Sequence, residues 1–415
     1  MITPKANHVT SIYFNCCFLL LIKMEGTCSN RFKVMIVVTQ RRYTRLIGGS
    51  LKREQELYFG LSKLSHLGIH LSMLRFRLDF LGVPLDHSVL FPVRVLLNFF
   101  SFLRQIKINC PHLVISLSPI PTAILLFIRG LIGNSVKIVF LDRGDPILSV
   151  ISPIRTTYSK VLMLIKIVLT MLIEKISVAY SDVVIFNSRW RIRQIRSRYS
   201  LPTKKFALVY NNANVAWLPS PHEVNIAEDV MLIKSAGKKI VGFIGRINEY
   251  GNGIDVLLYA FKLLKTKFEN VHLFIIGDGK DLNRVRNKVR YLKLEDSVSL
   301  VGYISDVSRY LKGFDILVQP ARYQCCPNVV LEAFRFNIPV IVSNVGGMPE
   351  LVNDSDLIFE SENFSSLANK MFKLLTDKQL YSKKCAWVRF LYKKFSFPWP
   401  KIIISTILSL LLHDV

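Results

Sequence analysis

Along the chain, short unbroken apolar runs alternate with longer stretches whose apolar positions recur every three or four residues. The runs FKVMIVVTQ (32–40), IHLSML (69–74), PHLVISLSP (111–119), SVKIVFLDRGDP (135–146), SDVVIFNS (181–188) and FALVYNNAN (206–214) read as buried strands. Helical stretches separate them, the first from Leu51 to His66 with Gly68 ending it, so this half predicts a β-α-β rhythm and a parallel sheet. The second half repeats the rhythm in KIVGFIGRI (239–247), VHLFIIGDG (271–279), VSLVGYI (298–304), FDILVQP (314–320) and IPVIVSNVGG (338–347). Such near-continuous Ile/Val runs suit strands covered on both faces. SPHEVNIAED (220–229) is polar and marks a boundary or a loop beside it. The pattern predicts an α/β protein of two Rossmann-like, doubly wound parallel-sheet domains facing across a cleft. An extension over 1–31 precedes an N-terminal domain over 32–215. A C-terminal domain over 216–395 and a closing helix over 396–415 follow.

In such folds ligands bind beyond the carboxyl ends of the strands. That draws attention to Gly48-Gly49, Asp142–Asp145, Gly245-Arg246 and Gln324–Pro327, each of which follows a predicted strand.

Composition narrows the classes. The 415 residues are 51% hydrophobic and 20% charged, which suits a folded chain of more than one core. Seven cysteines, with Cys16-Cys17 and Cys325-Cys326 adjacent, make a poor disulfide framework and no zinc spacing, so a reducing, cytoplasmic setting is expected. The charge is lopsided: residues 1–215 hold 29 basic and 9 acidic residues, a net of +20 out of +26. A basic N-terminal half implies an anionic partner. Neither VLMLIKIVLTMLI (161–173), interrupted by Lys166, nor IIISTILSLLL (402–412) reaches the roughly 18–20 apolar residues that span a bilayer. SIYFNCCFLLLI (11–22) resembles the core of a signal segment, or else an upstream extension with Met24 as an alternative start.

The order and spacing of GFIGR, IIGDG, VGYI, PARYQCCPNVVLEAF and PVIVSNVGGMPELV together resemble glycosyltransferase family 4, the retaining, nucleotide-sugar-dependent enzymes of GT-B fold. The resemblance is dense over the C-terminal half. It thins over FKVMIVVTQ…IGGS, SDVVIFNS and LVYNNAN, and the closing FSFPWPKIIISTILSLLL is similar to the family's last helix, which crosses back onto the N-terminal domain.

That resemblance implies roles. Arg246, beside Gly245, would hold the donor diphosphate. Glu332, the second acid of an E-x7-E pattern, would accept from the ribose hydroxyls. Pro327, placed at the first helical position, would leave the N–H groups of Asn328 and Val329 facing phosphate at a helix start. Gly277 and Tyr303 would border the base pocket, and Gly48-Gly49 would let backbone approach the donor; a plain turn explains those two glycines equally well. Arg143 and Asp145 would lie on the acceptor side, Asp145 orienting a hydroxyl, with a structural Arg143–Asp145 pair as the alternative. Glu350 reads first as a helix cap. Two departures stand out: Gln324 replaces the first glutamate, and the loop Asn248–Asn252 lacks the family's lysine. Arg246, Gln324 and Asp145 are therefore the catalytic candidates.

Three look-alikes are set aside. Asp354-Ser355-Asp356 spells a D-x-D metal motif but follows a helix as a polar turn. His66 and His70 are separated by Gly68. Gly277-Asp278-Gly279 lacks dinucleotide-fingerprint spacing. No metal and no cofactor is expected.

Five arginines crowd Arg189–Arg198, and Arg189, Arg193 and Arg196 share a helical face. With the apolar stretch 156–176 carrying Lys160, Lys166 and Lys175, they suggest an anionic membrane surface as partner at the inner face of the cell membrane; a solvated face over a core helix is the plainer account. Nucleic acid is not expected, because the stretch lacks a stacking pattern. Two functions follow. One is transfer of a sugar from a nucleotide-diphosphate donor to a glycan or lipid-linked acceptor in cell-envelope polysaccharide or glycolipid synthesis. The other is a catalytically impaired scaffold that binds membranes.

Overall fold

The computed structural model describes residues 32–40, 49–63, 69–77, 91–133, 135–147 and 160–412; the N-terminal extension and Gly48 lie outside them. The described chain forms two compact units. The first comprises residues up to Asn187, Ile192–Val209 and the chain from Pro398; the second comprises Ser188–Arg191 and Tyr210–Phe397.

In the first unit β1 (Phe32–Gln40), β2 (Ile69–Arg77), β3 (Leu113–Ser116), β4 (Lys137–Asp142), β5 (Val183–Phe186) and β6 (Phe206–Leu208) make one sheet in the order β2-β1-β3-β4-β5-β6. Every pairing is parallel, with Val34 opposite Leu71 on one side and Leu113 on the other. Val34–Val37 are all buried, which is why β1 shows no polar alternation. The step from β1 to β2 runs opposite to the later steps. Right-handed crossovers therefore put the helix Gly49–Ser62 on one face and the helices Phe91–Asn109, Pro119–Ile132 and Lys160–Tyr180 on the other. The closing helix Trp399–Leu412 packs on Gly49–Ser62. Gly60 permits that approach, since a Cβ there would lie 2.3 Å from the Pro400 ring.

The second unit contains β7 (Lys239–Ile244), β8 (Val271–Ile276), β9 (Val298–Gly302), β10 (Ile316–Gln319), β11 (Val340–Ser343) and β12 (Ile358–Phe359), ordered β12-β11-β10-β7-β8-β9 and again parallel. All but β12 were legible as apolar runs; two residues are too few to leave a pattern. The crossover helix Ile254–Lys267 buries Ile254, Leu257, Leu258, Phe261 and Leu264, the spacing of one helical face. Each such side chain contributes roughly 1.5–3 kcal/mol by burial. Phe261→Ala would cost about 3–5 kcal/mol, because a cavity is added to the lost burial.

Strand order reverses between β1 and β3 in the first sheet and between β7 and β10 in the second. The loops after those strands are where a doubly wound sheet receives ligands. Arg246 and Gln324 follow β7 and β10. Asp145 follows β4, one strand away from the reversal.

Candidate functional site

Loops beyond the carboxyl ends of β7, β8, β10 and β11 meet backbone to backbone in the second unit. Gly277, at φ +141, is where the β8 loop touches the β7 loop: a Cβ there would lie 1.8 Å from the carbonyl oxygen of Gly245. Gly346, at φ +61, does the same against the carbonyl of Gln324, and the N–H of Gly347 donates to that carbonyl at 3.0 Å. Side chains are thereby excluded from the junctions, and main-chain groups form the walls.

Arg246 is exposed at the end of β7. Its carbonyl accepts from the Asn248 N–H at 2.9 Å and from Asn252 Nδ2 at 2.5 Å, which closes the loop beneath the guanidinium-bearing residue. Gln324 lies half-buried after β10, its Nε2 donating to Asn252 Oδ1 at 3.4 Å. Tyr303 is exposed just past β9, and Gly302 accepts the N–H of Gly277 at 2.8 Å. The structure thus gathers Gly245, Gly277, Asn252 and Gln324 at joined loops.

Pro327 is the N-cap rather than the first helical residue, so the helix runs Asn328–Arg335 and starts one residue later than the sequence predicts. Asn211 pins this start: its Nδ2 donates to the Cys326 carbonyl at 3.0 Å and to Asn328 Oδ1 at 2.9 Å. Glu332, one turn further, is buried, with Oε1 accepting the Trp217 indole N–H at 3.0 Å. A carboxylate offers about four acceptor positions, and the indole fixes one of the two oxygens.

Arg322 had no role in the sequence reading. It donates to both Asp255 oxygens at 2.9 Å, to Glu362 at 3.0 Å and to the Tyr250 carbonyl at 2.6 Å, and lies 4.4 Å from the Tyr250 ring centre. Its backbone N–H reaches the Gly251 carbonyl at 3.1 Å. One residue therefore clasps the β10 loop to the loop that lacks a lysine. Burial opposes its charge, yet the two carboxylates prevail and its pKa is raised. Arg322, Asn211 and Trp217 were missed because each acts through partners distant in sequence; the only signal was an arginine beside the quoted Gln324 motif.

The first unit's candidates are placed differently. Asp145, after β4, is held by Arg198 at 2.7 and 3.4 Å and accepts the Ile147 N–H at 2.9 Å. Arg198 also meets the buried Glu174 at 2.7 Å, which accepts from Tyr199 Oη at 2.5 Å. Burial opposes the Arg198 charge, but Asp145 and Glu174 outweigh it and raise its pKa; burial, then Glu174, raises that of Tyr199. Asp145 is thus part of an ion cluster. Arg143 lies 5.8 Å from the Trp399 ring centre. Glu350 caps a helix, though not its own: its carboxylate accepts the N–H groups of Arg189 at 2.8 Å and Trp190 at 2.6 Å, and Tyr210 Oη at 2.8 Å. Of the five clustered arginines, Arg189, Arg193 and Arg196 are exposed, Arg191 is buried and Arg198 is half-buried.

Asp354 and Asp356 both bind the buried Lys384, at 2.7 and 2.5 Å, which uses the D-x-D pair as an ion cluster. Among the described residues no group of three or more His, Cys, Asp or Glu could hold a metal ion.

Residues 228–386 match the family model described as glycosyl transferases group 1. Anabaena HepE in complex with UDP-glucose has a similar structure over 93% of this chain and all of that chain, with TM-score 0.63 and 14% identity. The architecture is the GT-B fold, and the matched region is similar to the group 1 glycosyltransferases. An uncharacterized glycosyltransferase of Haemophilus influenzae is 29% identical over 153 residues, covering 36% of this chain and 43% of that protein. The capsular polysaccharide biosynthesis glycosyltransferase CapM of Staphylococcus aureus is 31% identical over 144 residues, covering 34% of this chain and 38% of its own. The chain thus spans less than half the length of these two relatives.

Proposed function

We propose that this protein transfers a sugar from a nucleotide-diphosphate donor to a hydroxyl of a glycan or lipid-linked acceptor in cell-envelope polysaccharide synthesis, with retention at the anomeric carbon. The observation that carries this reading is the pairing, at the strand-order reversal of the second sheet, of exposed Arg246 after β7 with the helix start at Asn328 after β10. A guanidinium suits two phosphate oxygens at once, and the first turn of a helix adds partial positive charge. The name of CapM agrees with polysaccharide synthesis, and that of HepE in complex with UDP-glucose agrees with a nucleotide-sugar donor.

As the bond to the sugar breaks, negative charge collects on the leaving diphosphate. Arg246 and the N–H groups of Asn328 and Val329 would stabilise that charge where it develops. Glu332, aimed by Trp217, would hold the ribose, and Gln324 a sugar hydroxyl. Gly277 and Tyr303 would border the base. Fixed cations and amides supply the charge a metal supplies elsewhere, so the reaction is proposed to need none. Asp145 is left out of this machinery because Arg198 already holds it.

The test is turnover with a panel of UDP-, GDP- and ADP-sugars, with the product's anomeric configuration read by proton NMR and chelator added in parallel. Transfer with retention, unaffected by chelator and lost in Arg246→Ala, is the expected result. Inversion, or full activity in Arg246→Ala, would overturn it.

A further inference from the structure

The helix Lys160–Tyr180 turns an apolar stripe outward. Leu164, Val168, Leu172 and Ile176 recur every fourth residue with Leu169 beside them, and each is 40–60% exposed. A helix covering a sheet normally presents polar residues on that side. The neighbouring helix Pro119–Ile132 continues the surface with Phe127 and Leu131, 62% and 60% exposed. Phe127 approaches Phe99 of the next helix, Phe91–Asn109, at 6.0 Å between ring centres. An apolar surface continued over neighbouring helices is unusual on a soluble face and marks an interaction site.

Charge identifies the occupant. Across these three helices the sequence holds one carboxylate, Glu174, and it is buried against Arg198. Among the residues whose burial is described, the exposed charges there are the cations Arg104, Lys107, Lys166 and Lys175. We propose that this three-helix face docks on an anionic phospholipid bilayer, with the stripe of Lys160–Tyr180 entering the acyl boundary and the flanking cations meeting lipid phosphates. A protein partner would be expected to meet an apolar face ringed by both signs of charge; a surface free of exposed carboxylates fits a uniformly negative plane. The helix lies on the bilayer rather than through it: no single helix among the described residues is long and apolar enough to cross a membrane. Glu174 also links this helix through Arg198 to Asp145 in the segment after β4. The proposal rests on the transferase reading only in making the acceptor lipid-linked.

The experiment is co-sedimentation with vesicles of phosphatidylglycerol in phosphatidylcholine, against phosphatidylcholine alone, over a salt series. Binding to the anionic vesicles is expected, weakened by salt but not abolished, because the apolar contact is not screened. The pair Leu169→Glu with Leu172→Glu, both exposed and so neutral to folding, should lose about tenfold or more in affinity. Lys166→Gln and Lys175→Gln should each lose roughly fivefold. Equal binding to both vesicles, or undiminished binding by the double glutamate variant, would overturn the proposal. So would a concentration-dependent dimer that the double variant dissolves while vesicles go unbound, since a second copy would then own the face. Donor binding by thermal shift without vesicles reads the transferase proposal separately.

Discussion

The two sheets finish their carboxyl ends in opposite ways. In the second unit the loops close through glycines and main-chain contacts, leaving Arg246 exposed and Gln324 half-buried at the strand-order reversal. In the first, the segment after β4 is occupied by paired charges, Asp145 and Glu174 on either side of Arg198. The lesson is that clustered acids and bases do not by themselves locate chemistry. A buried ionised group must be paired to be tolerated, and once paired it is committed.

Four substitutions sharpen the contrast. Arg198→Ala should have the largest effect, leaving two carboxylates without their shared cation and costing about 3–5 kcal/mol in chemical denaturation. If stability holds and only acceptor use changes, Asp145 belongs to the site after all. Arg246→Ala should lower turnover about 10²- to 10³-fold while leaving the melting curve in place. A lower melting temperature with normal turnover would make Arg246 structural. His272, buried on β8 with Nε2 2.9 Å from Ser299 Oγ, is pushed down to about 4 by burial, with Lys238 and Lys265 adding to it. Unfolded, it titrates near 6.5, so between those pH values the unfolded chain binds the proton the folded chain refuses. Stability should therefore fall by about 2–3 kcal/mol as pH drops through that window, and His272→Gln should flatten the slope. An unchanged slope would assign it to other groups. Gln324→Glu should give the smallest effect, roughly a threefold drop in donor KM from one added charge–hydroxyl bond; a rise would show that the Asn252 contact matters more.

Much of the fold was legible because parallel strands buried on both faces leave unbroken apolar runs, as in VHLFII of β8. The two-residue β12 left none, and strand order is a long-range property that no local run encodes. The positions of Arg246 and Gln324 on loops after strands, and of Glu332 on a helix, were legible from the motifs; their roles are the ones we propose. The pairing of Asp145 was hidden because its partner Arg198 lies 53 residues away, in a stretch that read as a basic surface. The clasp of Arg322 on Asp255 and Tyr250 was equally hidden, since neither partner is near it in sequence.

That clasp also bears on kinetics. A loop gripped at Asp255, the Tyr250 carbonyl and the Gly251 carbonyl is not a flap awaiting a visitor. Its ordering entropy is settled during folding, so nucleotide capture should proceed in one kinetic phase, and the Arg322 backbone amide should resist deuterium uptake even before any sugar arrives.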